Sequence, residues 1–458
     1  MFRRLMAIAG GALALTAATA GSAAAHPAAT PGLGHAQAAG GTHLHGLTWR
    51  FVGATTAPPT TAQCLAAIGI ACYSPGQLET AYDMRRLYAA GDSGQGRTIV
   101  LFDSFGSPTI AADLRVFDRQ FHLPAPPSLR VLRPVGPVPP FDGSNSTMVG
   151  WAFESTLDVE YAHAMAPRAR IVLVETPVAE TEGITGMPQL MRAENLMVDR
   201  GIGDVFSQSF GATEQTFRPQ TLLNLRYAFE NAARHHVTVL ASSGDSGSAN
   251  YKLNGVDLFR YPTVGWPSSD PLVTSVGGTQ LHLNAAGHRT APDNVWNDIP
   301  IGIDAAGGGG PSHVFARPAY QRKMATGAGP FRATPDISMS AAVDGGALVY
   351  LSFPGLPAGF YIVGGTSEAS PLFAGVVAIA DQIAGHRLGQ INPSMYAMRG
   401  RPGSGIVDIR LGNNTFTLLD GNNNPVFVVP GWQAARGYDM ASGLGTVDGY
   451  TFAHALAR

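Results

Sequence analysis

This sequence of 458 residues contains little charge and only two cysteines. Charged residues make up 14% of the chain and the formal net charge is -2, so nothing indicates a nucleic acid partner or an anionic membrane surface. Beyond residue 25, no segment is apolar enough to span a bilayer. Glycine and proline are plentiful, at 56 and 33 residues, which is typical of a compact globular protein with many loops.

The N-terminus has the pattern of a secretory signal peptide. Arg3 and Arg4 supply the basic end, an Ala-rich apolar run follows, and small residues precede His26. A membrane anchor is the alternative, but the apolar run is short for a span. We therefore expect residues 1–25 to be a signal peptide, and the mature protein to be secreted without a membrane partner.

Residues 26–73 have the pattern of a short leader or propeptide-like segment. Their first part is rich in Ala, Gly, Thr and Pro and has no periodic apolar pattern. The two histidines in HLHG are too few for a metal site. Cys64 and Cys72 lie close together in CLAAIGIAC, and we expect a disulfide between them in an oxidising compartment. Two free thiols in a removed segment are the alternative.

From Ser74 onward, short apolar runs alternate with helical patterns, and we treat 74–458 as one domain. RTIVLFD, ARIVLVE, DVFSQSF and VTVLASSGD are typical of buried strands. This alternation predicts an α/β fold in three layers, with a mostly parallel central sheet and helices on both faces. The helical patterns lie around 151–165, 186–199 and 219–234.

The stretch GGTSEASPLFAG places Ser367 on a sharp turn between a strand pattern and a helix pattern. A serine there can cap the helix, or it can be a nucleophile that needs a base. Asp103, at the end of the first strand pattern, resembles a subtilisin aspartate. None of the 13 histidines lies in the helix-start pattern that a subtilisin-type enzyme would have.

Carboxylates supply the better candidates for the base. Glu154 and Asp158 are four residues apart and therefore lie on one face of a predicted helix, where two like charges repel unless one is protonated. A solvated acidic face is the alternative, but Leu157 and Tyr161 make the surrounding helix apolar. Asp245 follows a strand pattern between glycine and serine, where it can also be an ordinary turn residue.

Taken in order, the motifs resemble those of the sedolisin family, the serine-carboxyl peptidases with a subtilisin-like fold. Each motif alone is weak, but the ordered set is specific and covers about 74–458. The motifs are FESTLD, SQSFGATE, ASSGDSG, DPLVTSVGGT, GGGGPSHVFARPAYQ, TPDISMSA, GGTSEASPLFAG and GYDMASGLG.

The resemblance implies that Glu154 is the general base, Asp158 its partner, Ser367 the nucleophile and Asp245 the oxyanion donor. A glutamate, with a reference pKa of about 4.3, is a useful base mainly in acid. Asp245 can donate to an oxyanion only while it is protonated. We therefore expect a secreted, monomeric acid endopeptidase that acts on peptides or proteins.

Two other functions remain open at this point. A catalytically silent relative would bind peptides or a partner protein in the same cleft and would cleave nothing at any pH. A neutral subtilisin-type protease would use Asp103 and would be active near pH 7 to 8, where histidine is an unprotonated base. The second alternative lacks a suitably placed histidine.

The resemblance also implies one structural calcium ion. Its ligands would be the carboxylates of Asp408 and Asp439 and the backbone carbonyls of Ile409, Ala435 and Gly437. Ala435 stands where the family commonly has glycine, but a backbone carbonyl can come from either residue. Turn aspartates without a metal are the alternative.

The sequence departs from the family in two further ways. Family members usually carry a folded propeptide about the size of a domain, whereas only residues 26–73 separate the signal pattern from the peptidase pattern here. Ser155 replaces a tryptophan that often follows the catalytic glutamate. The first departure leaves the mode of activation open, and the second affects a substrate pocket.

Overall fold

The computed structural model describes residues 34–35, 48–53, 57–324 and 327–458, with residues 34–35 described by their backbone alone. The expected signal peptide and the HLHG histidines lie outside these ranges. Within the described ranges, no helix is both long enough and apolar enough to cross a bilayer.

The strands are, in chain order, β1 Gly34–His35, β2 Thr48–Gly53, β3 Cys72–Tyr73, β4 Thr98–Ser104, β5 Leu129–Leu132, β6 Arg170–Thr176, β7 Val205–Gln208, β8 Ala212–Thr213, β9 Thr238–Ser242, β10 Gly265–Trp266, β11 Thr274–Gln280, β12 Asn294–Val295, β13 Gly310–Ala316, β14 Phe331–Thr334, β15 Ile337–Ser340, β16 Gly346–Leu351, β17 Gly359–Gly364, β18 Ile406–Val407, β19 Phe416–Leu419, β20 Pro425–Val429 and β21 Thr446–Val447.

The helices are α1 Thr61–Ile68, α2 Pro75–Ala81, α3 Met84–Ala90, α4 Ile110–Phe121, α5 Ser146–Met165, α6 Met187–Asp199, α7 Pro219–Leu225, α8 Tyr227–Arg234, α9 Thr366–Ala384, α10 Asn392–Met398 and α11 Gly449–Leu456. Short 3-10 turns occupy Glu214–Thr216, Ile299–Ile301 and Ala319–Gln321.

The large sheet has the order β12-β11-β9-β7-β4-β6-β5, and β15 pairs with β11. Every pairing in it is parallel except that of β12 with β11. All seven residues of β4 are buried, as expected for a strand that is covered on both faces. The predicted mostly parallel sheet is confirmed.

Helices cover both faces of this sheet. On one face, α5 and α9 share a core that includes Leu157 and Val376. On the other face, α6 and α8 contribute Met197 and Phe229 to a second core. A Cβ on Gly375 of α9 would lie 2.4 Å from the Met165 Cβ at the end of α5, so this glycine permits the close contact of the two helices.

A smaller sheet has the order β1-β2-β17-β16-β3. Residues 48–53 and 61–73, which the sequence pattern assigns to a leader, thus contribute the strands on both sides of the β16–β17 hairpin. The expected disulfide between Cys64 and Cys72 is formed and links α1 to β3. Ser74 caps α2 through a capping box with Gln77, in agreement with the predicted start of the helical region.

Candidate active site

Ser367 lies at the N-terminus of α9, directly after the β17 strand, and is 1% exposed. The N-cap residue is Gly365, and no side chain caps this helix, so Ser367 does not have the capping role that the sequence left open. Gly365 has a φ of 140°, and a Cβ there would lie 2.7 Å from Asp245 Oδ2. This turn therefore requires glycine, and it brings the serine beside Asp245.

Glu154 and Asp158 lie on α5 and are 1% and 0% exposed, which excludes the solvated acidic face. Ser209, at the end of the β7 region, donates its hydroxyl to Asp158 Oδ1 at 2.8 Å. The same hydroxyl lies 3.4 Å from the backbone carbonyl of Ser367. Ser209 thus links α5 to the first turn of α9, a role that its place in the SQSFGATE motif alone did not reveal.

The two carboxyls of α5 carry raised pKa values because they are buried. Burial raises the pKa of Glu154 well above its usual range, the charge of Asp103 adds to the rise, and hydrogen bonding from Ser367 lowers it. Burial also raises the pKa of Asp158, with further contributions from the charges of Asp103 and Glu154. The group therefore holds at least one proton well above the pH at which isolated carboxyls ionise.

Asp103 belongs to this acidic group, although the sequence suggested it only for the histidine-dependent alternative. It is fully buried at the carboxyl end of β4, and burial raises its pKa to about 7. The charge of Glu175 adds to this rise. The nearby Ser155 hydroxyl donates to the Trp151 carbonyl at 2.8 Å. Since β4 and α5 are far apart along the chain, no local pattern could have joined them.

Asp245 follows β9 and uses its two carboxyl oxygens differently. Oδ1 accepts hydrogen bonds from the backbone N–H and the hydroxyl of Thr366, both at 2.7 Å. The Gly244 N–H donates to that hydroxyl at 3.0 Å, which fixes the turn. Oδ2 is buried and has no hydrogen-bond partner among the described residues. Burial raises the pKa of Asp245 to about 7, against the hydrogen bonds from Thr366.

Three similarities to known proteins decide the family. Kumamolisin from Bacillus sp. (strain MN-32) is 31% identical over 309 residues, which are 66% of this chain and 50% of that protein. Sedolisin from Pseudomonas sp. (strain 101) is 31% identical over 273 residues, 58% of this chain and 43% of that protein. The solved Pseudomonas sedolisin, a serine-carboxyl proteinase complexed with two molecules of pseudo-iodotyrostatin, is 26% identical with a TM-score of 0.68, covering 84% of this chain and 98% of that chain.

This chain belongs to the sedolisin family. No family model matches it. Its subtilisin-like α/β fold, with a mostly parallel central sheet, agrees with the structural similarity to the solved sedolisin. The chain spans about half the length of the curated relatives it matches, at 50% and 43% of kumamolisin and sedolisin.

The calcium site that the sedolisin family implies is not preformed around the two expected carboxylates. Asp408 Oδ2 accepts a hydrogen bond from Arg410 Nε at 2.7 Å, and Oδ1 accepts one from the Gly437 N–H at 3.0 Å. Asp439 accepts from the backbone N–H groups of Ala435 and Ser442, each at 2.8 Å. The part of the chain that the structure describes contains no group of three or more His, Cys, Asp or Glu that could hold a metal. In this arrangement Arg410 occupies a carboxylate oxygen of Asp408, so a calcium ion could bind there only after the Arg410 side chain moved away.

Proposed function

We propose that this sedolisin-family protein is an acid-active serine-carboxyl endopeptidase that hydrolyses peptides or proteins. The observation that carries the proposal is the free, buried Oδ2 of Asp245 beside the turn of Ser367. A carboxyl whose pKa is raised to about 7 is protonated in acid, and its free oxygen can then donate a hydrogen bond to a developing oxyanion.

In the proposed reaction, the Glu154 carboxylate accepts the hydroxyl proton of Ser367 while the serine oxygen attacks the scissile carbonyl carbon. The carbonyl π electrons move to its oxygen, and protonated Asp245 donates a hydrogen bond to that oxyanion. The tetrahedral intermediate collapses, the carbon–nitrogen bond breaks, and Glu154 gives its proton to the leaving amine. Water, deprotonated by the same carboxylate, then hydrolyses the acyl-enzyme and regenerates Ser367.

Asp158 supports this base from one turn along the α5 helix. The charge of Glu154 raises the pKa of Asp158, so a proton held by Asp158 leaves Glu154 available as the carboxylate base. Ser209, which donates to Asp158 at 2.8 Å, fixes the orientation of this second carboxyl. Asp158 and Ser209 are thus positioning residues in the proposed mechanism.

The proposed acid optimum follows from opposite protonation requirements. The acidic group must lose a proton to supply the base, whereas Asp245 must keep its proton to act as a donor. Because the Asp245 pKa is raised to about 7, the donor form dominates below that pH and is lost as the pH rises through it. We therefore expect the rate to fall on the neutral side through ionisation of Asp245.

A direct assay tests this proposal. Residues 26–458 would be expressed and incubated between pH 2 and 8 with an unstructured protein, and the cleavage sites would be mapped by mass spectrometry. Ser367→Ala, purified in the same way, controls for contaminating proteases. Cleavage confined to acid and absent in the variant supports the proposal. Peptide binding without cleavage at any pH would instead support the catalytically silent alternative.

We further propose that the protein is secreted as a monomer and that it binds one calcium ion. Secretion is supported by the N-terminal signal pattern. Calcium is supported only by the match of Asp408, Asp439 and the three carbonyl positions to the family pattern, and binding requires Arg410 to leave Asp408. No step of the proposed reaction depends on the ion.

A further inference from the structure

The β16–β17 hairpin leads directly into the turn of Ser367, and both of its outer edges are covered by residues that precede Ser74. On one side, β2 pairs antiparallel with β17, with Thr48 opposite Gly364 and Trp49 opposite Val363. On the other side, β3 pairs in parallel with β16, with Cys72 opposite Gly346. We call residues 48–53 and 61–73 the N-terminal clamp.

The parts of the clamp are linked to one another as well as to the hairpin. The Cys64–Cys72 disulfide joins α1 to β3, and the Arg50 side chain donates to the Ile68 carbonyl at 3.4 Å, which links β2 to α1. Cys64 and Cys72 are 1% and 0% exposed, as expected of core residues. Without the clamp, the hairpin would present two unpaired edges to water.

Trp49 of the clamp also reaches the helix that carries the proposed base. Its ring stacks on Phe153, the residue before Glu154, with centroids 5.6 Å apart and planes inclined by 25°. It meets Tyr361 of β17 edge-on at 5.5 Å, and Phe153 and Tyr361 contact each other at 5.4 Å. One ring of the clamp thus contacts both the α5 helix beside Glu154 and the strand that precedes Ser367.

We propose that the N-terminal clamp is a permanent part of the active enzyme and that Trp49 is a positioning residue for Glu154 and Ser367. This inference rests on the proposed peptidase function. It replaces the expectation of a removable leader for residues 48–53 and 61–73. The physical reason is that Phe153 directly precedes Glu154 on α5, so removing the Trp49 ring that packs on Phe153 leaves a space beside the base. A displacement of about 1 Å between base and nucleophile can cost on the order of 100-fold in rate.

The first test identifies the N-terminus of the active species. The wild-type protein would be activated in acid, labelled at Ser367 with an irreversible serine-directed phosphonate probe, and analysed by intact mass without reduction. We expect the labelled species to begin before Thr48 and to retain the disulfide. A labelled, active species that begins after Tyr73 would overturn the proposal.

The second test compares three substitutions in the full chain. Trp49→Ala should lower kcat about 10-fold or more with KM changed less than about two-fold, and Trp49→Phe should restore most of the rate. Phe51→Ala is the matched control, because Phe51 contacts Tyr361 at 5.0 Å but makes no ring contact with Phe153. Equal kcat values in Trp49→Ala and wild type, or equal losses in Trp49→Ala and Phe51→Ala, would contradict a positioning role.

Hydrogen exchange separates failure of this inference from failure of the peptidase function. In the wild-type protein we expect the amides of β17 to be protected, and Trp49→Ala should increase their exchange together with that of α5 around Glu154. These readouts do not require catalysis. A protein with protected β17 amides but no activity would contradict the peptidase function and leave the structural role of the clamp intact. Rapid exchange of the β17 amides in the wild type would contradict the clamp proposal itself.

Discussion

The two carboxyl oxygens of Asp245 have different roles, one structural and one in the proposed chemistry. Oδ1 accepts two hydrogen bonds from Thr366, and this fixes the position of Oδ2, which has no partner among the described residues. A buried carboxyl oxygen without a donor costs free energy that only protonation or a ligand can recover. The residue therefore has the properties of a preorganised donor rather than those of an ordinary turn aspartate.

Replacing Asp245 by asparagine separates hydrogen-bond donation from protonation. Thr366 should hold the amide oxygen in place of Oδ1, so that the amide nitrogen takes the place of Oδ2 and donates at every pH. We expect the rate at the acid optimum to fall on the order of 100-fold, the scale of losing one oxyanion donor, because an amide N–H is a weaker hydrogen-bond donor than a carboxylic O–H. The remaining activity should extend to higher pH than in the wild type. If the rate of Asp245→Asn fell on the neutral side at the same pH as the rate of the wild type, the donor role would be contradicted. Asp245→Ala is the control that lacks any donor.

At the scale of secondary-structure elements, α5 and α9 bring the proposed base and nucleophile together. Their close contact at Gly375 and Met165 fixes how the two helices lie against each other, so each helix holds its functional side chain without help from a mobile loop. The C-terminal segment differs, because the expected calcium ligands there, Asp408 and Asp439, lie on loops and not on a helix or a strand. There, Arg410 holds Asp408 in an ion pair whose carboxylate is only partly exposed.

The C-terminal loops give a test of the calcium proposal. A chelator should lower the thermal midpoint of the wild type, because a ligand that binds only the folded state stabilises it by a few kcal/mol at about 100 times its dissociation constant. Arg410→Ala should increase the stabilisation by added calcium, since no guanidinium then competes for Asp408. Asp408→Ala is the control that should respond to neither. Thermal midpoints that are insensitive to chelator and calcium in the wild type and in Arg410→Ala would remove calcium from the account.

The sequence predicted the elements better than it predicted their long-range partners. The strand and helix patterns around Ser367 and Glu154 are local, and the large sheet follows from their alternation. The pairing of β2 with β17 joins residues about 300 positions apart, and the approach of Asp103 to α5 depends on the packing of a helix on a sheet. Ser209 and Thr366 lay within quoted motifs, but their roles depend on which carboxylate each one meets in space.

At the scale of the whole molecule, buried carboxyls with raised pKa values make the folded state more stable in acid than at neutral pH. Burial raises the pKa of Glu182 to about 8, that of Glu368 to about 8 and that of Asp381 to about 7. Burial likewise raises the pKa of Glu79 to about 7. Each of these carboxyl groups therefore binds its proton more tightly in the folded state than in the unfolded state, where carboxyls ionise near pH 4.

This difference predicts how stability depends on pH. Stability from such groups is fully present below about pH 4, decreases as the pH rises above the unfolded pKa, and is lost by about pH 7 to 8. Each group contributes a slope of about 1.4 kcal/mol per pH unit within that window. We therefore expect the chemical-denaturation midpoint of Ser367→Ala, which cannot digest itself, to be higher at pH 4 to 5 than at pH 8. A midpoint that is equal or higher at pH 8 would contradict the pKa assignments.

The central claim is that a carboxylate, and not a histidine, activates Ser367, and single-turnover kinetics test it most directly. Acylation by a chromogenic peptide ester or amide would be measured from pH 3 to 8 for the wild type, Glu154→Gln, Ser367→Ala and the double variant. We expect each single variant to lose most of the rate with an unchanged thermal midpoint, and the double variant to be little slower than either one, because the two residues act as a unit. Full activity in Glu154→Gln, or a wild-type optimum near pH 8, would contradict the serine-carboxyl mechanism.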